Sequence, residues 1–475
     1  MKFKKSISLK LLLSALDDEE VPYVSWKNNH QLDLVMSGNG DLDLFVPFDS
    51  RSKFFNLCRN SGWIEVINPV AHYPWVHHFY GMNDDFSFYH IHVYFKVVTG
   101  ESWIKEYLLP LDRWMIENRI WSSEHNIWIL DNTSQAYIFT VRHLLKGASI
   151  SSRALYAGEM ESYHEEWIKC EQEANILSKT GPIDVTNYLA GSSILAEELH
   201  LPKILTALSF RFSISPFLRY QWWSLPIRRS VAFTHRFVNK FFLKRKKLLP
   251  QAGLIIAISG ADGAGKTTML KEIDQVFDQF LTLKRFHLGR PQGKFIELVW
   301  RAMGNTSKNS TMPGCAQVST PSSIGKAFNG AVLAILRLRK ARIAVKRANQ
   351  GNLVLVDRWP TDQIGKMDGP RVIIGSNSGV VQHICRRVES WAYSSMPRAD
   401  VCYFFVLPMN VAIERNRMRT KDNKETDEQI SARFKGNLEY KPLARKTICF
   451  DNSGDFIVKR KEFLDSVWHE IISRY

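Results

Sequence analysis

A chain of 475 residues exceeds what one hydrophobic core ordinarily holds, so its length predicts two or three domains. Hydrophobic residues make up 45% and charged residues 23% of the sequence, a balance that indicates a soluble globular protein and excludes a fibrous or disordered chain. The formal net charge of +16 favours contact with phosphates, nucleic acid or an anionic membrane surface, without choosing among them.

The first twenty residues combine a basic start with an apolar stretch, Ile7–Leu16. Lys10 interrupts that stretch and four acidic residues follow it, so the pattern predicts a short amphipathic helix rather than a signal peptide. No run reaches the roughly 18 apolar residues of a membrane span. The six cysteines contain no C-x-x-C pair, which favours thiols in a reducing cytoplasm over a zinc site or a disulfide framework. We therefore expect a cytoplasmic protein.

The front region, residues 1–145, alternates predicted strands and short helices. Asp41 and Asp43 stand two residues apart on one strand, so both side chains point to the same face. Such a pair can hold the Mg²⁺ of a nucleoside triphosphate. His90 and His92 also alternate onto one face of a later strand, Phe88–Phe95, and could join the two aspartates around a metal.

This front region resembles the nucleotidyltransferase superfamily, over residues 18–145, through its D-x-D on an early strand. The resemblance implies an α+β domain and nucleotidyl transfer. Two features depart from the family: Ser25–Asn28 stands where a Gly-Gly or Gly-Ser turn is usual, and the later strand carries His90 and His92 in place of a third carboxylate. The alternative is a degenerate domain kept for binding.

The middle region, residues 146–252, is predicted to be a helical, basic connector. No acidic residue occurs between Glu198 and Asp262, and Arg211–Lys247 mixes basic with aromatic residues. Three interpretations follow in order of preference: packing between the domains, contact with anionic lipid with Trp222 and Trp223 at the headgroups, and binding of nucleic acid through stacked bases.

The back region, residues 253–475, begins with a phosphate-binding pattern. The apolar strand Leu254–Ser259 runs into Gly260–Thr267, which matches G-x-x-x-x-G-K-[ST], and a helix is predicted over Thr268–Phe280. Glycines let backbone N–H groups surround phosphates, and the helix N-terminus adds its positive end. The predicted nucleotide-binding residues are Gly260, Gly263, Gly265, Lys266, Thr267 and Thr268.

The chemistry of this pattern requires particular side chains. Lys266 can reach the β- and γ-phosphates, and the Thr267 hydroxyl can hold Mg²⁺. A second strand, Asn352–Val356, ends in Asp357 and Arg358, where the carboxyl ends of parallel strands face a nucleotide crevice. Asp357 could hold the metal or accept a proton from an attacking hydroxyl, and Arg358 could grip an anionic acceptor.

Further arginines follow other predicted strands. Arg415 and Arg419 come after the strand Val401–Val406 and could form a lid over the transferring phosphate. Arg290 follows the strand Lys284–Leu288 and could meet an acceptor phosphate.

Together these motifs resemble the thymidylate kinase family over residues 253–475. The resemblance is closer to the thymidylate-kinase-like proteins encoded among bacterial surface-polysaccharide genes, because Asp362 and Pro370–Arg371 extend the Asp357–Trp359 motif as they do in those proteins. The resemblance implies an ATP- and Mg²⁺-dependent kinase with a parallel sheet, whose acceptor is a nucleotide, sugar or lipid-linked glycan; Asp362 joins Arg290 and Arg358 as substrate-binding residues. Residues 292–348 do not follow the true thymidylate kinases, which puts thymidylate in doubt as the acceptor. The alternative is an ATP-binding regulatory or scaffold protein with slow hydrolysis.

Overall fold

The computed structural model describes residues 9–148, 153–154, 157–158, 160–171, 181–194, 199–261, 263–289, 321–417, 426–427 and 440–475. By internal contacts the chain divides into two compact units. We call Met1–Lys247 with Ile472–Tyr475 the front unit, and Leu248–Ile471 the back unit. The threefold division into residues 1–145, 146–252 and 253–475 stays a prediction.

The front unit is built on a seven-stranded mixed sheet in the order β3-β4-β5-β2-β1-β9-β8. Strands β2 and β5 are parallel neighbours, whereas β4 pairs with β5 antiparallel. The strands, including a separate two-stranded β6-β7 sheet, are β1 Val24–Ser25, β2 Asp41–Phe45, β3 Ile64–Val66, β4 Val76–Met82, β5 Phe88–Tyr94, β6 Val98–Thr99, β7 Tyr107–Leu108, β8 Arg119–Ser122 and β9 Ile127–Leu130.

Apolar side chains project from both faces of this sheet, because neighbouring residues of a strand point to opposite sides. Leu42 and Leu44 pack into one core together with the first helix, whereas Phe45 packs into a second core that contains Tyr137. The helices are α1 Leu9–Asp18, α2 Leu32–Met36, α3 Arg51–Asn60, α4 Asp112–Glu117, α5 Asn132–Lys146, α6 Met160–Glu171, α7 Leu189–Ser192, α8 Ile204–Ser213 and α9 Leu225–Val238.

The helices at the two ends of this unit differ in how many side chains they bury. Helix α1 is amphipathic, as its sequence predicts, and buries four leucines: Leu9, Leu12, Leu13 and Leu16. Phe210 of α8 is buried in the core that contains Tyr137. Helix α9 has no buried residue. Among the described residues, no helix is both long and apolar enough to cross a membrane.

The back unit is an α/β fold, as the sequence predicts, with a five-stranded parallel sheet in the order β11-β12-β10-β13-β14. Its strands are β10 Ile255–Gly260, β11 Leu283–His287, β12 Leu353–Asp357, β13 Ala399–Val406 and β14 Ala444–Asp451. The described helices are α10 Lys266–Phe277, α11 Ile324–Ala348, α12 Val380–Ser394, α13 Met409–Arg417 and α14 Phe456–Ile472.

The strand order places a crevice at the centre of this sheet. From β10 the chain goes to β11 and β12 on one side, and then crosses to β13 and β14 on the other. The connections after β10 and β13 therefore leave in opposite directions, which opens a crevice at the carboxyl ends of the strands. The Gly260–Thr267 loop lies at this edge, directly after β10.

Candidate functional site

The Gly260–Thr267 loop adopts a backbone that requires its glycines. Gly260, Gly263 and Gly265 have φ of 143°, 97° and 84°, a region that other residues rarely enter. A Cβ on Gly260 would lie 2.6 Å from the carbonyl oxygen of Phe405, and one on Gly265 would lie 2.4 Å from Nδ2 of Asn452. These glycines therefore lie too close to Phe405 and Asn452 to carry a side chain.

Lys266 is the first residue of α10 and is buried at 7% exposure. Its Nζ donates to the carbonyl oxygens of Gly260 at 2.9 Å and of Ala261 at 2.7 Å. The lysine therefore folds back over the loop and holds a positive charge there. Thr267 and Thr268, the next two residues, are exposed, so the Thr267 hydroxyl is accessible to a ligand.

Asp357 ends β12, the strand next to β10, and stands in register with Ile258. His287 of β11 is its opposite neighbour, and Nδ1 of His287 lies 3.0 Å from Oδ2 of Asp357. The other carboxylate oxygen, Oδ1, is buried and has no hydrogen-bond partner in the described part of the chain. A buried oxygen without a partner is costly, and a metal ion or an acceptor hydroxyl would satisfy it.

The charges around Asp357 keep it ionised. Burial, the largest single influence, would raise the pKa of this carboxyl, but the hydrogen bond and charge of His287 and the other nearby positive charges together hold the pKa below its usual range. The positive charges of Lys266 and Arg358 act in the same direction. The carboxylate is therefore available as a base or a metal ligand at neutral pH.

Arg358 occupies a left-handed backbone conformation, with φ of 66°. Its N–H donates to the carbonyl oxygen of Ile258 at 2.9 Å, and its guanidinium lies 3.9 Å from Oδ2 of Asp368. Asp368 also pairs with the buried Arg337 at 2.6 Å. The network holds Arg358 at the crevice edge. Asp362, in contrast, is an exposed side chain.

A cavity of about 280 Å³ adjoins the glycine loop. Its lining contains loop residues, a basic residue of α13 and residues that follow β14: Gly263, Gly265, Thr268, Met269, Arg415, Asn452, Gly454 and Phe456. Arg415 thus lies beside the loop, and its role as a lid residue stays a prediction. Arg290 and Arg419, also predicted for the site, lie outside the described residues, so their predicted roles stay predictions.

Sequence reasoning missed three residues that shape this site. Asn452 donates from Nδ2 to the carbonyl oxygen of Ala264 at 2.8 Å and so fastens the loop. Arg337 lies far from every motif. His287 and Asn452 each had a signal, because His287 ends a strand of the parallel sheet and Asn452 directly follows one, at the edge where ligands bind.

The front unit brings the predicted pair Asp41 and Asp43 to one face of β2, but in different surroundings. The Asp41 side chain is 55% exposed, whereas that of Asp43 is 3% exposed. Lys27 pairs with Oδ1 of Asp43 at 2.8 Å, and Asn28 donates to Oδ2 at 2.9 Å. Both oxygens of Asp43 are therefore engaged by the Ser25–Asn28 segment.

The electrostatics of this face follow from burial and pairing. Burial alone would raise the pKa of Asp43, but the charge of Lys27 and the hydrogen bond with His92 hold it well below its usual range. Burial lowers the pKa of His90 to about 4, against the hydrogen bond to Asp41. His90 is therefore a neutral imidazole at neutral pH.

Comparison with known proteins gives little beyond the geometry. No protein-family model and no curated protein matches the chain. Solved structures do match, and one of them is a thymidylate kinase from Candida albicans, with 14% sequence identity and a TM-score of 0.28. The match covers 47% of this chain and 92% of that chain. It bears the name of the family that the back region resembles, but a likeness of this size assigns neither a fold nor an activity.

Proposed function

We propose that the back unit is a P-loop kinase that transfers the γ-phosphoryl group of ATP to a hydroxyl or phosphate acceptor, with Mg²⁺. The observation that carries this proposal is the meeting of Lys266 and Asp357 at one edge of the parallel sheet. Lys266 is the first residue of α10, and Asp357 is the last residue of the strand next to β10. The positive charge of Lys266 helps to keep the Asp357 carboxyl group ionised.

The residues present fit ATP and Mg²⁺. Gly260 and Gly265 have no room for a Cβ, and glycines let backbone N–H groups approach phosphates closely. The exposed hydroxyl of Thr267 and the unpartnered Oδ1 of Asp357 would hold the metal. When bound, the nucleotide and metal supply the phosphoryl group and neutralise its charge. Lys266 would exchange its two carbonyl partners for phosphate oxygens.

The residues that would act on the acceptor lie at the end of β12. With a hydroxyl acceptor, its oxygen bonds to the γ-phosphorus, ADP leaves, and the hydroxyl proton passes to the carboxylate of Asp357 or to solvent. Arg358 would hold an anionic group of the acceptor, and Arg415 would approach the nucleotide from the cavity beside the loop. Arg290, Arg419 and Asp362 keep their predicted supporting roles in this proposal.

The acceptor class rests on the family resemblance alone, which points to a sugar or lipid-linked glycan of surface-polysaccharide synthesis. A competing proposal is a regulatory protein that binds ATP and hydrolyses it slowly. The joint placement of Asp357 and Arg358 at the end of β12 favours the enzyme, because a protein that only binds ATP needs no residue to grip an acceptor beside the loop.

The test is transfer of label from ATP labelled on its γ-phosphate to a panel of nucleotides, sugars and glycolipids. We expect the label to move to one acceptor class in a Mg²⁺-dependent manner. Release of inorganic phosphate alone, unchanged by every acceptor, would favour the regulatory protein. No binding of ATP at all would overturn both proposals.

We further propose that α9 and the residues flanking it contact an anionic membrane from the cytoplasmic side. The large apolar side chains here are exposed, as a segment that contacts lipid requires: Trp222 76%, Trp223 59%, Ile227 63%, Phe233 52% and Phe242 74%. The chain's run without acidic residues, from Leu199 to Ala261, supplies charge that complements anionic headgroups.

Co-sedimentation with vesicles of neutral or partly anionic lipid tests this contact. We expect binding only to the anionic vesicles, reduced by salt because charges near such a surface are screened over about 8–10 Å. Changing Trp222 and Trp223 to Ala should weaken it, whereas Trp121→Ala, exposed elsewhere in the front unit, should not. Binding that ignores lipid charge, or displacement of the vesicles by single-stranded nucleic acid, would contradict the proposal.

A further inference from the structure

Three imidazoles meet on one face of the front unit's sheet. His90 and His92 lie two residues apart on β5, and His78 of β4 stands directly opposite His92 in the antiparallel register. Their ring centroids are 4.3 to 5.4 Å apart. The pairing of two pleated strands, β4 and β5, therefore brings the three rings together on one face of the sheet without any loop residue.

The ring nitrogens of this cluster converge. Nδ1 of His78 lies 3.2 Å from Nε2 of His90, and one ligand atom from each of the three rings lies within 4.8 Å of the others. Two nitrogens bound to one tetrahedral zinc ion, at about 2.0–2.1 Å each, are separated by roughly 3.3 Å. The His78–His90 pair already has this spacing.

The aspartates on β2 orient two of these rings from behind. Nδ1 of His90 lies 2.7 Å from Oδ1 of Asp41, and Nδ1 of His92 lies 3.4 Å from Oδ1 of Asp43. An ionised carboxylate can only accept, so Nδ1 of His90 carries the proton and its Nε2 is left with a lone pair. A carboxylate behind a histidine in this way is the usual arrangement at metal sites, where it fixes the tautomer.

We propose that His78, His90 and His92 bind one divalent transition-metal ion of the Zn²⁺ class, with Asp41 and Asp43 positioning the histidines rather than serving as ligands. Imidazole nitrogens suit zinc, copper, nickel and iron, whereas Mg²⁺ prefers oxygen ligands. Three histidines leave a coordination position for water or a substrate atom. The site is independent of the proposed kinase activity of the back unit.

Lys247 is the charged group that faces the cluster from outside β2, β4 and β5. Its Nζ lies 3.5 Å from Nδ1 of His78, the same nitrogen that the metal would use. Lys27 and Lys105 stand one step further away, and both donate to the hydroxyl of Tyr94. The 3.2 Å contact between Nδ1 of His78 and the lone pair on Nε2 of His90 places a proton on Nδ1 of His78 in the metal-free protein. Lys247 therefore opposes a bound metal ion through the repulsion of like charges, so Lys247→Met should strengthen metal binding.

The experiment uses the full chain, freed of metal with a chelator and titrated with Zn²⁺ by calorimetry. We expect one tight Zn²⁺ per chain. The double variant His90→Gln and His92→Gln should lose it, whereas His125→Gln should keep it, because His125 belongs to a separate group with Asp33 and Glu124. Tight binding that survives in the double variant would overturn the proposal.

Two further measurements remain valid if the double variant does not fold. Asp41→Ala, at an exposed carboxylate, should weaken Zn²⁺ binding about 10- to 100-fold, and Asp41→Asn, which keeps an acceptor for His90, should weaken it less. Co²⁺ in place of Zn²⁺ should show the strong visible absorption of a tetrahedral site. Displacement of the bound ion by millimolar Mg²⁺, or equal losses in the two Asp41 variants, would instead make the carboxylates the ligands.

Discussion

The two candidate sites begin from the same local pairing. In the back unit His287 lies opposite Asp357 on the neighbouring parallel strand, and in the front unit His90 lies opposite Asp41 in the same way. What differs is the third partner. Asp357 has the positive charge of Lys266 nearby, whereas His90 faces another imidazole, His78. A carboxylate–histidine pair is therefore not specific by itself.

The main chain contributes differently to the two sites. The back site is formed largely by backbone, because a glycine-containing loop joins the end of β10 to the N-terminus of α10. The front site is formed by side chains on one face of a sheet, and its loop residues Lys27 and Asn28 serve to engage Asp43. The first arrangement suits an anion with many oxygens, and the second suits a single cation.

The largest effect is expected from Lys266→Ala, which removes the positive charge held over the loop. Loss of a lysine matched to the transferring phosphate should lower phosphoryl transfer by a factor of about 10³ or more. Lys271→Ala, exposed on the same helix, is the matched control and should retain activity. Full phosphoryl transfer by a folded Lys266→Ala protein would contradict the proposed role of Lys266, and with it the difference that Lys266 makes between the two sites.

Asp357→Asn should reduce turnover by a factor of about 10² to 10³ while ATP binding changes little. The amide keeps the shape and can still accept from His287, but it can neither take a proton nor hold Mg²⁺ well. Turnover and equilibrium nucleotide binding are measured on the same preparation, with the exposed Asp49→Asn as control. A parallel loss of binding and turnover would make Asp357 a strand-end residue with a structural role only.

Acid should destabilise the front unit through His143. Burial lowers the pKa of this histidine to about 4, and its Nε2 lies 2.7 Å from the carbonyl oxygen of Ser192. Because the folded pKa lies below the unfolded value of about 6.5, the stabilisation is complete above pH 6.5 and is lost as pH falls through 4. The loss should approach about 3 kcal/mol.

Urea unfolding followed at a series of pH values measures this effect. His143→Gln keeps a donor for Ser192 but cannot titrate, so it should reduce the dependence of stability on pH between 6.5 and 4, to which His90 also contributes. An unchanged pH dependence in that variant would assign the acid sensitivity to other groups of the front unit.

The smallest effect is expected from Gly265→Ala. The new methyl group would lie 2.4 Å from Nδ2 of Asn452, at a backbone φ of 84°. We expect a loss of about 1–3 kcal/mol in the free energy of unfolding, with weaker ATP binding. Gly325→Ala, on a helix with nothing within 4 Å of the new atom, should be neutral or slightly stabilising. Equal stability of the two variants would mean that the loop is less constrained than its backbone indicates.

The amino-acid sequence by itself determined the local parts of this protein. The apolar run, glycine loop and helix from Leu254 onward predict β10 and α10 because these depend on neighbouring residues: burial, positive φ and helical period. The α/β class of the back unit and the shared face of Asp41 and Asp43 follow equally from short-range rules.

Only the tertiary structure decided which of these parts meet. Strand order and register, set by burial of whole sheet faces, bring His287 to Asp357, Asn452 to Gly265 and His78 to His92. These partners lie from 14 residues apart, for His78 and His92, to 187 residues apart, for Gly265 and Asn452, and no periodicity links them. A single sequence shows the alternation of polar and apolar residues along each strand. Which strand pairs with which depends on the packing of the complete sheet, and no local pattern predicts that pairing.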